Sequence, residues 1–354
     1  MINYIIRRLL LIPLLLFGVT LLIFGMLQFL TPVERSALWV RDIPKTERQV
    51  DGIIKKYGLD QPIHLQYWRW MVGTKDSVTG ERNGGIVFGD FGWSRTGSQP
   101  VSVLISTRFP NTLDLALWAI GPIIIIGVWL GIQAAVHHNG PIDQLGRIFS
   151  IIGTSFPTFV FGLLVLMIFY ANLQWFPPGR LTTDFQQIVT SDEFHSYTKL
   201  LTIDSLLNGR FDIFLDALRH MFLPILTLSY LSWATFLRVT RGSMLETLRM
   251  EYVTTARAKG LTEHDVIFKH ARPNAMITVA TLAGFTVVGL MGGVVITETI
   301  FDYPGIGKAA AEAAGQLDVV TVLGFALFNG FILIVANVIV DVLYAVIDPR
   351  VRLS

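Results

Sequence analysis

The chain has 354 residues, of which 15% are charged and 52% hydrophobic, and its mean hydropathy is +0.55. Soluble proteins carry about 25% charged residues, so this composition excludes an ordinary soluble protein and points to a bilayer as solvent. A net charge of +2 is too small to suggest a nucleic-acid partner, and zero cysteines exclude disulfides, thiolate metal sites and a cysteine nucleophile.

A helix crosses the hydrocarbon in about 20 mostly apolar residues. Six stretches qualify: 9–30, 113–136, 148–171, 222–239, 276–296 and 322–347. They predict an all-α membrane protein of six transmembrane helices. Breakers inside them, at Pro13, Gly121-Pro122, Pro157, Pro224 and the glycines from Gly289 to Gly293, are tolerable where neighbouring helices satisfy the freed backbone groups. The N-terminal segment 1–30 reads as a retained anchor, because its apolar run exceeds the roughly 7 to 15 residues of a signal peptide.

The segment 31–112 is too polar for lipid and reads as a small external subdomain. It holds an amphipathic helix at 47–57, then LDQPIHLQYWRWMVG, whose Tyr67, Trp68 and Trp70 suit the headgroup level. A Gly-rich run, NGGIVFGDFGWSRTGSQPV, predicts turns and a short strand. A second polar segment, 172–221, carries Pro177-Pro178-Gly179, the acidic pair Asp192-Glu193 and an amphipathic helix at 211–221. The remaining chain, 113–354, is a five-helix core. No repeat at a fixed period is visible.

Orientation follows from basic residues near the span ends. With the N-terminus inside, the cytoplasmic parts hold Arg7, Arg8, Arg147, seven Lys and Arg from Arg238 to Arg272, and Arg350 and Arg352, against Lys308 alone in the short outer loop 301–321. The polar loop 241–275 therefore faces the cytoplasm. From Arg241 it reads as a helix through Lys259. Gly260 is its C-cap, and Thr262 caps a second, short helix three residues before Asp265, which Arg272-Pro273 closes. Small side chains at Ala256, Ala258 and Gly260 make little internal core; they suit a groove on another protein, or a plain solvated juxtamembrane loop. A DNA-reading helix-turn-helix does not fit, because the second helix is short, tied to the membrane and not strongly basic.

Polar residues within the spans are candidates for a translocation path. Asp341 is the clearest ionisable case, or else pairs at the lip near Asp348-Pro349-Arg350. Thr227, Ser229, Tyr230, Ser232 and Thr235 in the fourth span, with Asn329 and Asn337 in the sixth, either line a path or bond between helices. The small face at Gly284, Gly289, Gly292 and Gly293 allows close helix approach. The loop TIFDYPGIGKAAAEAAGQ, 299–316, predicts a tight turn at Pro304-Gly305 and an Ala-rich helix. The chain has no Gly-x-x-x-x-Gly-Lys-Ser/Thr phosphate loop, and its histidines show no ligand spacing beyond the adjacent His137-His138.

The loop 241–275 resembles the coupling loop of permease subunits in ATP-binding-cassette importers, patterned Glu-Ala-Ala, three residues, Gly, nine residues, Ile, one residue, Leu-Pro. Ala256, Gly260 and Pro273 fall at that spacing, while Thr254, Thr255, His270 and Arg272 depart from it. The form YVTTARAKGL is similar to the dipeptide and oligopeptide branch. So are YIIRRLLLIPLLL, YGLDQPIHLQYWRW, FGDFGWS, TRGSMLETLRMEYV, ITETIFDYPGIG and DVLYAVIDPR, in order from end to end. Where that branch has a Pro-Gly-Asp-Pro type turn, this chain has TPVERSALW, 31–39.

The resemblance implies the type I ABC importer permease fold, with a cytoplasmic coupling helix, in a bacterial inner membrane with both termini cytoplasmic. It implies ATPase coupling through Glu251, Thr255, Ala256, Ala258, Gly260, Leu261 and Pro273, and a binding protein facing Asp302, Tyr303, Pro304 and Gly305. Ser229, Ser232, Asn329, Asn337 and Asp341 are the path candidates. The implied partners are a homologous second permease, two ABC ATPase subunits holding ATP and magnesium, and a substrate-binding protein; this chain would need no cofactor and do no covalent chemistry. Peptides are the implied cargo, with nickel chelates or oligosaccharides as alternatives. A stand-alone ion-coupled transporter would favour more spans, an internal repeat and several buried acids; a receptor or scaffold would not need the small faces.

Overall fold

The computed structural model describes residues 2–36, 46–75 and 82–347. The unusual stretch 31–39 is thus described only to Ser36, and Asp348, Pro349, Arg350 and Arg352 lie outside the described residues. In chain order the helices are α1 (Ile2–Leu27), α2 (Pro32–Ser36), α3 (Glu47–Tyr57), α4 (Ile63–Val72), α5 (Val101–Val136), α6 (Pro141–Ser155), α7 (Thr158–Val165), α8 (Thr183–Thr190), α9 (Leu201–Leu207), α10 (Phe211–Leu248), α11 (Glu251–Ala258), α12 (Glu263–Asp265), α13 (Arg272–Met291), α14 (Val295–Ile300), α15 (Ile306–Gly315) and α16 (Val319–Ile347). Two small antiparallel strand pairs, β1 (Thr74–Lys75) with β2 (Arg82–Asn83) and β3 (Trp93–Ser94) with β4 (Gln99–Pro100), accompany them, with one turn of tighter helix at Ile86–Phe88.

Among the described residues, five helical segments are long and apolar enough to cross a membrane: Leu9–Leu27, Val101–Val136, Phe211–Leu248, Glu263–Met291 and Val319–Val342. The sixth predicted stretch, 148–171, is not one straight helix. It falls on α6 and on α7 with the wide-turned continuation Leu166–Asn172, and the two parts meet at 101°. Phe156 is extended (φ −92°, ψ 119°) directly before Pro157, as expected where a proline ring bars its predecessor from the helical region.

Other boundaries also differ from expectation. The predicted amphipathic helix 211–221 and span 222–239 are one helix, α10, of 38 residues, roughly 57 Å long at 1.5 Å per residue. The helix expected from Arg241 to Lys259 stops at Leu248. The amides of Arg249 and Met250 turn back onto Glu246 and Thr247, Met250 is extended, and α11 restarts at Glu251. Pro273 closes nothing: α12 runs through the wide-turned segment Val266–Ala271 into α13. A proline within a helix has no N–H to give and crowds the carbonyl four residues back, and widened turns accommodate that defect.

The chain forms two compact units. One comprises 111–304 with the chain from 336; the other comprises 2–110 with 305–335. In the first, α10 is the central helix. Glycines bring its neighbours close: a Cβ added at Gly127 would lie 2.6 Å from Phe236 Cβ, at Gly131 2.5 Å from Thr240 Cβ, and at Gly153 2.6 Å from Ala234 Cβ. In lipid the hydrophobic effect does not drive helices together, so close contact and hydrogen bonds carry the association. The predicted small face of the fifth span behaves differently. Gly284 is buried, but Gly289 faces open space. The tight small-residue contacts belong to α5 and α6 against α10.

In the second unit, Ile23, Phe24 and Leu27 of α1 pack with Trp70 of α4 and Leu327 of α16. Tyr67 bonds Thr20 through its hydroxyl at 2.8 Å and meets Phe24 edge-on. Of the three aromatics read as interfacial, only Trp68 is widely exposed, at 65%. A second cluster joins Val101, Leu104 and Ile105 to Ile306, Ala309, Val320 and Phe325. Asp318 pins the β3–β4 hairpin to the start of α16. Its carboxylate accepts the N–H groups of Arg95 (2.8 Å), Thr96 (3.0 Å) and Thr321 (3.3 Å) and the hydroxyls of Ser94 (3.2 Å) and Thr321 (2.6 Å).

Candidate functional site

The loop 241–275 is seated by its apolar residues. Val253 and Ala256 of α11 are buried against Met244 of α10, Ile132 and Ala135 of α5, and the run Val266 to Ala275. Two of the eight residues of α11, three apart and so on one face, point inward, and the other six present a surface. Glu251, Thr255, Ala258, Gly260, Leu261 and Pro273 are all exposed. Ala256 is the exception among the proposed coupling residues, at 5% exposure. It anchors the helix and does not offer itself to a partner.

The turn is built as its sequence predicts. Gly260 has φ +78°, a left-handed conformation that glycine adopts without strain. Thr262 accepts the N–H of Asp265 at 3.2 Å, an N-cap bond. Arg257 spans the turn to Glu263 with a two-point pairing at 3.1 and 2.6 Å. Nothing lies within 4 Å of a Cβ built at Gly260, so a side chain there would project outward. Ser243 of α10 donates to the Ala275 carbonyl at 3.0 Å, tying the helices on either side of the loop.

A buried ion pair lies in the same unit. Asp143 of α6 is fully buried and receives Arg241 Nε (2.5 Å) and Nη2 (2.9 Å), Arg147 Nη2 (3.1 Å) and the Asn139 amide (2.9 Å). Two-point guanidinium–carboxylate pairing fixes geometry as well as charge. It locks α6 to α10 at Arg241, the first residue of the loop 241–275.

A second polar cluster was not foreseen. Thr112 donates to Glu298 at 2.7 Å, joining α5 to α14, and Asn111 donates to the Pro304 carbonyl at 2.8 Å. Asp114 accepts both the hydroxyl (2.5 Å) and amide (3.1 Å) of Thr202, whose hydroxyl oxygen accepts Trp118 Nε1 at 3.1 Å. Arg180 acts electrostatically on both Asp114 and Tyr303. Tyr303 is completely buried and its burial pushes the hydroxyl pKa up. Of the four residues read as facing a binding protein, Tyr303 and Gly305 are therefore buried, Pro304 is half-buried and Asp302 is exposed. Asp114 stands within the predicted span 113–136, so the rule that singled out Asp341 would have found it too. Glu298 just follows the fifth stretch and gave no such signal.

The path candidates are dispersed. Ser229 is fully buried and its hydroxyl has no hydrogen-bond partner among the described residues, while Ser232 donates to the Leu228 carbonyl at 2.9 Å. Asp341 is half-buried and Asn337 exposed on the part of α16 in the first unit; Asn329 is half-buried in the second.

Comparison with known proteins covers the chain from end to end. Residues 123–353 match the family model described as binding-protein-dependent transport system inner membrane component, and residues 1–116 match the corresponding N-terminal model. The chain is 35% identical over 352 residues to the oligopeptide transport system permease protein AppB of Bacillus subtilis, covering 99% of each. It is 37% identical to the di/tripeptide transport system permease protein DppB of Pseudomonas aeruginosa, again over 99% of each. It is 36% identical to the probable D,D-dipeptide transport system permease protein DdpB of Escherichia coli, over 85% of this chain and 84% of that one.

Proposed function

This chain belongs to the family of binding-protein-dependent transport system inner membrane components, and from that premise we propose that it is the permease half of an ATP-driven importer of di- and oligopeptides. The chain is a multi-pass membrane protein and a permease subunit. Peptide cargo is supported by the relatives, which are named for oligopeptide, di/tripeptide and D,D-dipeptide transport. Both termini lie in the cytoplasm, with the loop 241–275 on the same side, an orientation supported by its basic residues.

The observation that carries the coupling role is the construction of that loop. Val253 and Ala256 fasten it to α5 and α10, leaving Thr255, Ala258, Gly260 and Leu261 outward on a turn stiffened by the Arg257–Glu263 pair. A small-residue knuckle on a fixed base can seat in a groove and pass on a displacement. An ATPase subunit docks there, and a second does so on a homologous partner permease; ATP and magnesium are held in those subunits. A binding protein delivers cargo to the opposite face, where Asp302 is exposed. Nucleotide-driven closure rocks the two permeases about a central path lined from among Ser229, Ser232, Asn329, Asn337 and Asp341.

Gentle purification of the tagged chain with mass spectrometry of what accompanies it tests the assembly. A second permease and Walker-motif ATPases are expected; isolation alone or as a homo-oligomer would favour an ion-coupled carrier. Gly260→Trp tests the coupling surface. The variant inserts normally and loses uptake of labelled dipeptide; near-normal uptake would remove the assignment.

A further inference from the structure

Helix α4 lies in a segment whose sequence reads as external, yet it is seated on a helix that crosses the membrane. Trp70 packs with Phe24 and Leu27 of α1, and Tyr67 reaches further along that helix, to Phe17 and Thr20. Thr20 stands seven positions before Leu27, where the apolar run Leu9–Leu27 ends, so it lies about 10 Å inside that end at 1.5 Å per residue. The hydroxyls there are matched without water. Thr20 gives its one hydrogen to the Phe17 carbonyl at 2.9 Å, so Tyr67 is the donor in the 2.8 Å bond between the two side chains. Both hydrogens are satisfied within the protein, as hydrocarbon demands.

The face of α4 turned away from α1 is apolar too. Leu65, Trp68 and Val72 recur at helical spacing opposite the buried Gln66 and Trp70; Leu65 and Trp68 are exposed and Val72 is half-buried. A helix apolar on both faces belongs in a protein core or in lipid. Its exposed His64 stands at the edge of that face, in the first turn. Its arginine, Arg69, lies with the guanidinium against Gly58, in the polar turn before the helix, as a long basic side chain does when it leads its charge out of lipid. Ile86 joins the same cluster, and the residue after it, Val87, is exposed. Phe17, on which Tyr67 packs, is itself exposed on α1, so the apolar surface runs from one helix to the other.

We propose that α4 is immersed in the leaflet that receives the C-terminal end of α1, and that its Leu65–Trp68–Val72 face takes the acyl chains of phospholipids. In the orientation proposed above this is the outer leaflet. Depth selects the occupant: a soluble protein needs this face in water, whereas the Tyr67–Thr20 bond holds the helix against the apolar run of α1. Only the span of α1 and its orientation are presupposed, not the cargo or the coupling.

The chain has no cysteine, so single cysteines can carry a nitroxide label in the full-length protein, held with its co-purifying partners in phospholipid nanodiscs. Labels at Leu65→Cys and Trp68→Cys are compared with Leu14→Cys, exposed within the span of α1, and Asp60→Cys, exposed in the turn before α4. Each is relaxed by oxygen, which concentrates in hydrocarbon, and by a neutral nickel chelate, which stays in water. Leu65→Cys and Trp68→Cys should match Leu14→Cys and favour oxygen, with the sign of the preference reversed at Asp60→Cys. Preference for the nickel chelate at both α4 positions would overturn the proposal, and protection from both agents would overturn it equally by marking a protein-covered face. A nickel preference at Leu14→Cys would instead remove the span of α1, and the proposal with it. Where Trp68→Cys fails to fold, the fluorescence that Trp68→Phe removes from the parent provides the reading. Lipids brominated on their acyl chains should quench that component; quenching by aqueous iodide alone argues against immersion.

Discussion

Asp143 and Asp318 are both buried acids that fasten distant parts of the chain, and they are satisfied in opposite ways. Asp143 meets two guanidinium groups. Asp318 meets no cation in its hydrogen-bond set, only three backbone N–H groups and two hydroxyls. A carboxylate inside a protein needs its charge answered, and the contrast teaches that full charges and ordered dipoles can each answer it. The two solutions fail differently. Losing Asp143 strands a largely buried guanidinium, whereas losing Asp318 strands only neutral donors.

The largest effect is expected from Asp143→Ala, which should destabilise the first unit by about 3–5 kcal/mol, the usual cost of leaving a buried charge unpaired. Asp143→Leu combined with Arg241→Met should recover most of that loss in thermal unfolding. A double variant no better than the single one would mean that the pair is not the clamp described. Asp318→Asn should cost less, about 1–3 kcal/mol, as donors lose an ionised acceptor; hydrogen exchange at the amides of Arg95 and Thr96 should report it locally.

Acid sharpens the contrast at Asp318. Burial works against its ionisation, but the hydroxyl of Thr321 and the N–H groups of Thr96 and Thr321 outweigh it and hold the pKa below the ordinary carboxylate value. Its stabilisation is therefore complete above the unfolded pKa of about 4 and disappears as pH falls through the lower folded value. The stability gap between the parent and Asp318→Asn should be constant near neutrality and close below about pH 4. A gap that persists unchanged into strong acid would deny the carboxylate that role. The smallest effect belongs to the exposed pair. Glu263→Gln should change stability by no more than about 1 kcal/mol, whatever it does to uptake.

Local chemistry was legible in the sequence and long-range pairing was not. Gly260 and Thr262 mark the turn because one supplies a left-handed residue and the other an acceptor three residues before a free N–H. The six apolar stretches announce the membrane. The bend at Phe156-Pro157 was signalled by its proline, but nothing in the run of apolar residues says whether a proline is tolerated or turns the chain. The reach of α10 was hidden because the amphipathic stretch 211–221 and the apolar stretch 222–239 differ in character and read as two elements. In the structure Asp216 is buried and receives the amide and hydroxyl of Thr182. Thr202, Arg241 and Ser94 stand 88, 98 and 224 positions from the acids they meet. No periodicity encodes such a meeting.

Two glycines of α5, Gly127 and Gly131, lie so close to α10 that no methyl group fits at either. A joint of this kind is a seam and not a bearing. It has no play for side chains to take up by changing rotamer, so any displacement of α10 at this seam carries α5 with it. Slack must be sought at other contacts, such as those of Gly121 and Gly289, beside which a Cβ would meet nothing within 4 Å.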